Sequence, residues 1–250
     1  MHIKSIYSHL YSYFGPQHWW PVTLDREIIP KYHKNIKLNK KQKLEICFGA
    51  ILTQNTSWKN VEKAIIQLNK GQLIDIKKIL KIENKKLAEI IKSSGYYNQK
   101  AKKLKNFCHF LLNNHNGSIE KLFKNSIEKL RNELLSINGI GPETADSIIL
   151  YAAKKPIFVI DAYTKRIINR IGYKESAYEK LQKLFMENLE SDEKIFNECH
   201  ALLVELGKNY CKKNPLCEKC PINKMCNYKI HFTTTTKQKP KSLNNQYIQK

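Results

Sequence analysis

The stretch Leu134-Leu135-Ser136-Ile137-Asn138-Gly139-Ile140-Gly141-Pro142-Glu143-Thr144-Ala145 constrains the fold of this chain more than any other. An amphipathic helix is expected over about Ile127–Leu135, running into a turn with two glycines. A second helix is expected to open at Pro142 or Glu143, because proline suits the first helical turn. Glycine accepts positive φ and a close approach of another backbone, and both Gly139 and Gly141 are expected to use that freedom. The amides around Gly139, Ile140 and Gly141, with the N-terminus of the second helix, can then face one outward point and attract an anion. An ordinary helix–turn–helix corner is the plainer alternative. Ile137 two residues before Gly139, Ile140 directly before Gly141 and the small Ala145 favour a hairpin, over about 126–153, that grips a phosphate backbone.

The remaining pattern is helical. Val61, Ala64, Ile65 and Leu68 recur at i, i+3, i+4, i+7, as do Ala145, Ile148, Ile149 and Ala152; Ile195, Cys199, Leu202, Leu203 and Leu206 follow the same rule. Ser57 and Ser191 precede such patterns and are expected N-caps. The β-branched run Ile157–Ile160 is too short for a sheet and reads as a buried connector between helices. Residues 231–250 are poor in apolar side chains and are expected to be a disordered basic tail.

The formal net charge is +22, with 44 Lys and Arg against 22 Asp and Glu. Without the four lysines of the tail it is still 22 − 4 = +18, so the folded part carries most of the excess. That balance favours polyanions, because neutralising phosphates releases condensed counterions. A Lys-, Ile- and Asn-rich proteome would give the same balance, so charge alone does not establish nucleic-acid binding. No run of 18 apolar residues suggests a membrane span, and the first fourteen residues lack the apolar core of a signal peptide. The expected place is the cytoplasm, associated with the nucleoid, where cysteines stay reduced. Cys47, Cys108 and Cys199 fall on helical stripes and are expected to be buried apolar residues. The other four form Cys211-x5-Cys217-x2-Cys220-x5-Cys226. Composition leaves structural zinc and a [4Fe–4S] cluster both open for them.

The hairpin stretch resembles the helix-hairpin-helix of the endonuclease III superfamily of DNA glycosylases. Phe158-Val159-Ile160-Asp161-Ala162-Tyr163-Thr164-Lys165-Arg166 is similar to that family's apolar-apolar-Asp segment, which leads into a helix with basic residues. Gly95-Tyr96-Tyr97-Asn98-Gln99-Lys100-Ala101 and Gly49-Ala50-Ile51-Leu52-Thr53-Gln54-Asn55-Thr56 resemble two earlier family segments, and all run in family order. The resemblance implies an all-α, two-lobed fold with a cleft. One lobe would span 41–156 and hold the hairpin; the other would join 1–40 to 157–230 with the cysteine loop 211–226. It implies a monomer that binds double-stranded DNA containing a damaged base. Gln54 and Asn55, the hairpin residues Gly139, Ile140 and Gly141, and Lys165 and Arg166 would contact DNA, with Gln54 filling the gap left by the extruded base. It also implies a [4Fe–4S] cluster on Cys211, Cys217, Cys220 and Cys226, although the family's first spacing is six residues rather than five.

By the same resemblance Asp161 is the expected catalytic carboxylate, stabilising positive charge on the sugar as the N-glycosidic bond breaks. Its position also suits a helix N-cap, and the two roles are compatible because a cap leaves one oxygen spare. Family members that also cut the strand carry a lysine where this chain has Glu143, and a carboxylate cannot form the imine that cutting requires. The expectation is therefore a water-using, monofunctional glycosylase. Trp19-Trp20-Pro21, Trp58 beyond the Gln54 loop, and Gly-Ile-Gly-x-Glu locally resemble 3-methyladenine DNA glycosylase III, a branch that lacks the four-cysteine loop. Trp20, Trp58, Trp19 and Glu143 are then expected around the base, since electron-rich rings bind flat cations such as alkylated purines. The alternatives are an endonuclease III-type glycosylase and lyase for oxidised pyrimidines, a mismatch thymine or adenine glycosylase, and a non-catalytic iron–sulfur DNA-binding protein.

Overall fold

The computed structural model describes residues 3–228, so the tail expected over 231–250 lies outside the described residues. Among the described residues the chain is a succession of α-helices: α1 (Ile3–Phe14), α2 (Lys40–Leu52), α3 (Trp58–Lys70), α4 (Ile76–Lys81), α5 (Asn84–Ile90), α6 (Tyr97–His115), α7 (Ile119–Phe123), α8 (Ile127–Leu135), α9 (Pro142–Ser147), α10 (Ala162–Ile171), α11 (Tyr178–Asn188) and α12 (Glu193–Asn209). The extended pairing among them is a single antiparallel bridge between Val22 and Lys31.

Local chemistry sets the helix starts. Asn39 and Gln42 form a reciprocal capping box at α2, and the Asp75, Ser118 and Ser126 side chains accept first-turn amides of α4, α7 and α8. Ser57 is the N-cap of α3 but makes no side-chain cap bond. The cap of α12 is Asp192, not the expected Ser191: its carboxylate accepts from the amides of Lys194 and Ile195. A charged acceptor makes the stronger bond to an amide than a hydroxyl does.

The helix that continues α9 departs from simple α periodicity. Ile148–Ala152 form a π turn, with the Ala153 amide donating to Ile148 O at 3.1 Å. All five side chains are buried. A wider turn suits a segment enclosed on every side, and π turns recur at functional sites.

One apolar core runs from Ile3 in α1 to Ile222 in the cysteine loop. It is continuous across the lobe boundary expected near residue 156, and the buried connector Ile157–Ile160 lies within it. Cys47, Cys108 and Cys199 are buried as expected. The N-terminal arm bridges the two expected lobes rather than joining one: α1 packs on α11 and α12, while Thr23 bonds to α2 and α3. Its amide donates to Glu45 (2.8 Å), its carbonyl accepts from Gln42, and its hydroxyl accepts from Asn69 (2.9 Å).

The hairpin is tied to the rest of the molecule by Asp146 of α9, which is fully buried. Its carboxylate accepts from Arg131 Nε of α8 (2.8 Å), from the Tyr178 hydroxyl (2.8 Å) and from Gln182 Nε2 (2.8 Å) of α11. Removing one member of a buried, bonded ion pair costs about 3–5 kcal/mol because the other charge is left uncompensated. Asp146→Ala is therefore expected to lower the melting temperature by roughly 10 °C for a chain of this size. A shift below about 2 °C in a thermal scan would show that the network is not a structural tie.

Candidate active site

Asp161 sits between the buried connector and α10. Its Oδ1 accepts the Thr164 amide at 2.7 Å, so it caps α10 as the sequence suggested. The connector is held by α11: Gln182 Nε2 donates to Phe158 O as well as to Asp146, and the Tyr178 hydroxyl, which donates to Asp146, accepts from the Ile160 amide at 3.4 Å. The same two side chains thus fix the hairpin helix and the segment that presents Asp161.

Glu143 stands in the first turn of α9 and faces solvent. Its carboxyl is nevertheless pushed up to about 7, first by desolvation from the surrounding protein and then by the charge of Asp161, with Lys165 opposing.

Two functional candidates were missed in the sequence. His200 of α12 is buried, and its Nε2 lies 3.8 Å from Asp161 Oδ2. Its Nδ1 is 2.5 Å from the hydroxyl of Tyr151 in the π turn. Both residues sit on apolar helical stripes, where a lone polar ring reads as core. Their pairing spans 49 positions.

The hairpin turn differs in detail from expectation. Gly139 has φ +95°, so the expected positive φ is found there; the close neighbour is the Lys103 side chain, 2.5 Å from where a Cβ would stand, and not another backbone. Gly141 has φ −98° and is extended, so the positive φ expected there is not found; its carbonyl accepts the Ala145 amide at 2.9 Å. Ile140 is buried and its amide donates to Ile137 O. Among the described residues no backbone acceptor pairs the amides of Gly139 or Gly141.

Gln54 reaches this turn. Its Nε2 donates to Gly139 O (3.0 Å) and Thr144 Oγ1 (2.9 Å), and its Oε1 accepts from Lys103 Nζ. Asn55 is exposed, in the left-handed region at φ +54°. Lys165 is exposed beside the Tyr178 ring. Arg166 is turned inward: its guanidinium donates to Cys211 O (2.7 Å) and Gly207 O (3.2 Å), satisfying carbonyls at the end of α12.

The three tryptophans come together. Ring centroids of Trp19–Trp20, Trp19–Trp58 and Trp20–Trp58 lie 5.5, 5.4 and 5.3 Å apart, all edge to face. Trp20 rests on Gly49, where a Cβ would meet its indole at 3.0 Å. A cavity of about 650 Å³ opens beside Trp19, Trp20 and Tyr151, but neither Trp58, Glu143 nor Asp161 lines it.

Cys211, Cys217, Cys220 and Cys226 line one apolar recess with Ile167, Ile171 and Tyr210. Among the described residues no three such ligands converge on one ion. Four thiols around one recess are a donor set that a single zinc or an iron–sulfur cluster could use. Arg170 adds a positive charge, donating to Cys211 Sγ at 3.2 Å. Burial and the neighbouring thiols push the Cys220 thiol up to about 11, which makes a bare thiolate unfavourable there without a cation.

The chain matches the model of the HhH-GPD superfamily base excision DNA repair protein over residues 48–191. It belongs to that superfamily. MJ1434 of Methanocaldococcus jannaschii, assigned as a DNA repair glycosylase, is 44% identical over 228 residues, which cover 90% of this chain and 95% of the relative. The endonuclease III of Thermotoga maritima is 30% identical over 211 residues, covering 82% and 91%. Among solved structures, H. pylori 3-methyladenine DNA glycosylase (MagIII) bound to 1,N6-ethenoadenine is similar at TM-score 0.68 and 27% identity, over 83% of this chain and 98% of that one. This HhH-GPD protein is thus a base excision repair DNA glycosylase of the endonuclease III family, with DNA as its partner. No helix among the described residues is long and apolar enough to cross a membrane.

The raised Glu143 carboxyl has a consequence for stability. An unfolded glutamate titrates near ~4.3, and the folded value is about 7. The folded state holds the proton more tightly, so this contribution is full below the unfolded value and is lost as pH rises through about 7. Glu143→Gln is expected to melt above the parent at pH ~8 and level with it near pH ~4. Equal melting across that range would show that the carboxyl is not shifted.

Proposed function

We propose that this glycosylase releases alkylated purines such as 3-methyladenine from duplex DNA by hydrolysis, with no lyase step. The observation that carries the reading is that Glu143 stands in the first turn of the second hairpin helix, at the position where strand-cutting family members carry their amine. Damaged DNA would lie on the hairpin, with the free amides of Gly139 and Gly141 toward a phosphate and Asn55 and Lys165 beside it. Gln54 would leave its bonds to the hairpin to fill the space of the extruded base. The C1′–N bond breaks and its electron pair leaves with the base, which departs neutral because the alkylated purine began as a cation. The oxygen of Asp161 not used in the cap stabilises the positive sugar. Water adds to C1′ and its proton passes to a carboxylate, Asp161 or the ionised form of Glu143. Trp20 and Trp58 stack on the cationic base and Trp19 supports them.

The loop residues Cys211, Cys217, Cys220 and Cys226 would hold a [4Fe–4S] cluster. When bound, it would clamp the loop so that Lys212, Lys213, Lys219 and Lys224 can meet phosphates. Purified protein is then expected to be yellow-brown, with iron and acid-labile sulfide near ~4 each per chain. Colourless protein with one zinc would contradict this.

Asp161→Asn keeps the cap geometry and removes the charge. Base release is expected to fall at least about a hundredfold, while affinity for lesion DNA holds. Borohydride should trap no covalent adduct with the parent. Release at the parental rate would reduce Asp161 to a cap, and an efficient adduct would favour the endonuclease III reading. Trp58→Ala and Trp20→Ala should each slow alkylpurine release about ten- to a hundredfold, the rate equivalent of an aromatic stacking contact. Release of oxidised pyrimidines in preference to methylated purines would refute the substrate.

A further inference from the structure

Asp161 has two oxygens and the structure occupies one. Oδ1 takes the Thr164 amide; Oδ2 faces His200 Nε2 at 3.8 Å. The imidazole is sealed in the core, and that Nε2 is buried with no hydrogen-bond partner in the described residues. A buried polar atom without a partner is costly and calls for a reason. Its other nitrogen, Nδ1, is bonded to the Tyr151 hydroxyl.

The tautomer follows from what surrounds the ring. Burial pushes the Tyr151 phenol well up, so it keeps its proton and can donate. Burial also lowers the His200 value, with Asp161 acting against it, so the ring is neutral and carries one proton. If that proton sat on Nδ1, the Nε2 lone pair would face a carboxylate in a dry setting and two acceptors would repel. If Tyr151 donates to Nδ1, the Nε2–H points at Oδ2. The second arrangement satisfies both ends.

We infer that His200, its tautomer set by Tyr151, is a positioning residue that aims an Nε2–H at the free oxygen of Asp161. The gap of 3.8 Å is too long for a hydrogen bond, and catalytic contacts commonly tighten only with substrate bound. Such a donor fixes the direction of the free oxygen of Asp161. The Tyr151 ring also lies 5.2 Å from Trp20, so one chain of contacts links the tryptophan cluster to the carboxylate. The inference rests on Asp161 being the catalytic carboxylate.

Two measurements on the full chain test it. Nitrogen-15 spectra of the histidine rings should show His200 protonated at Nε2 and bare at Nδ1 near neutral pH; the opposite tautomer overturns the inference. Single-turnover base release is then followed on whichever duplex of a lesion panel the parent processes fastest. His200→Asn keeps a partner for Tyr151 but cannot reach Asp161, and should slow release about tenfold or more with unchanged DNA affinity. His200→Gln places an amide N–H where Nε2 was and should stay within about threefold of the parent. His200→Asn at the parental rate, or Gln as slow as Asn, overturns the assignment. Asp161→Asn in the same assay separates the two ideas. If it is not slowed, the catalytic reading of Asp161 fails; if it is slow while His200→Asn is not, the positioning role alone fails.

Discussion

The carboxylate of Asp146 is the contact on which the arrangement of the site depends. It lies at the centre of the hairpin, out of water, and is bonded by Arg131 from the helix before the turn and by Tyr178 and Gln182 from α11. Through Tyr178 and Gln182 the same group holds the Phe158–Ile160 backbone, and therefore Asp161. A turn proposed to grip phosphate and a carboxylate proposed to act on the sugar are useful together only at a fixed separation. Here that separation is set by a buried ion pair rather than by the loops that carry the two elements. Burying ions costs desolvation, so such a network contributes geometry more than stability.

Around that frame the site divides labour within single side chains. Asp161 spends one oxygen on the start of α10 and leaves the other toward His200. Gln54 closes the hairpin from the side of α2, with Lys103 beneath Gly139. Arg166 and Arg170 serve the end of α12 and the cysteine loop, so the basic face of α10 is partly structural. Tyr151 in the π turn after α9 stands in the core between Trp20 and His200.

What the sequence made legible was local. Ile127–Leu135, the proline start of α9, the buried connector and the capping position of Asp161 all follow from periodicity and cap chemistry, and the structure agrees. The three buried cysteines follow from their helical stripes. The resemblance put Trp19, Trp20, Trp58 and Glu143 around one base; the three rings meet, while the cavity beside them is lined by neither Trp58 nor Glu143. The misses are of two kinds. Ser191 yields to Asp192 and Gly141 is extended, because neighbouring residues of similar propensity compete and tertiary context chooses. Tyr151, His200 and the inward turn of Arg166 depend on partners more than 40 positions away, and spacing carries no record of those contacts.

The account is tested most directly by one affinity comparison. A duplex carrying a pyrrolidine ring at the abasic position mimics the positive sugar of the transition state; a tetrahydrofuran ring at the same place is neutral. An enzyme that stabilises that charge binds the cationic form more tightly, by about a hundredfold or more. The parent is expected to show this preference and Asp161→Asn to lose most of it, with the neutral duplex bound equally by both. An equal preference in parent and variant would contradict the assignment of Asp161 as the group that stabilises the departing sugar's charge.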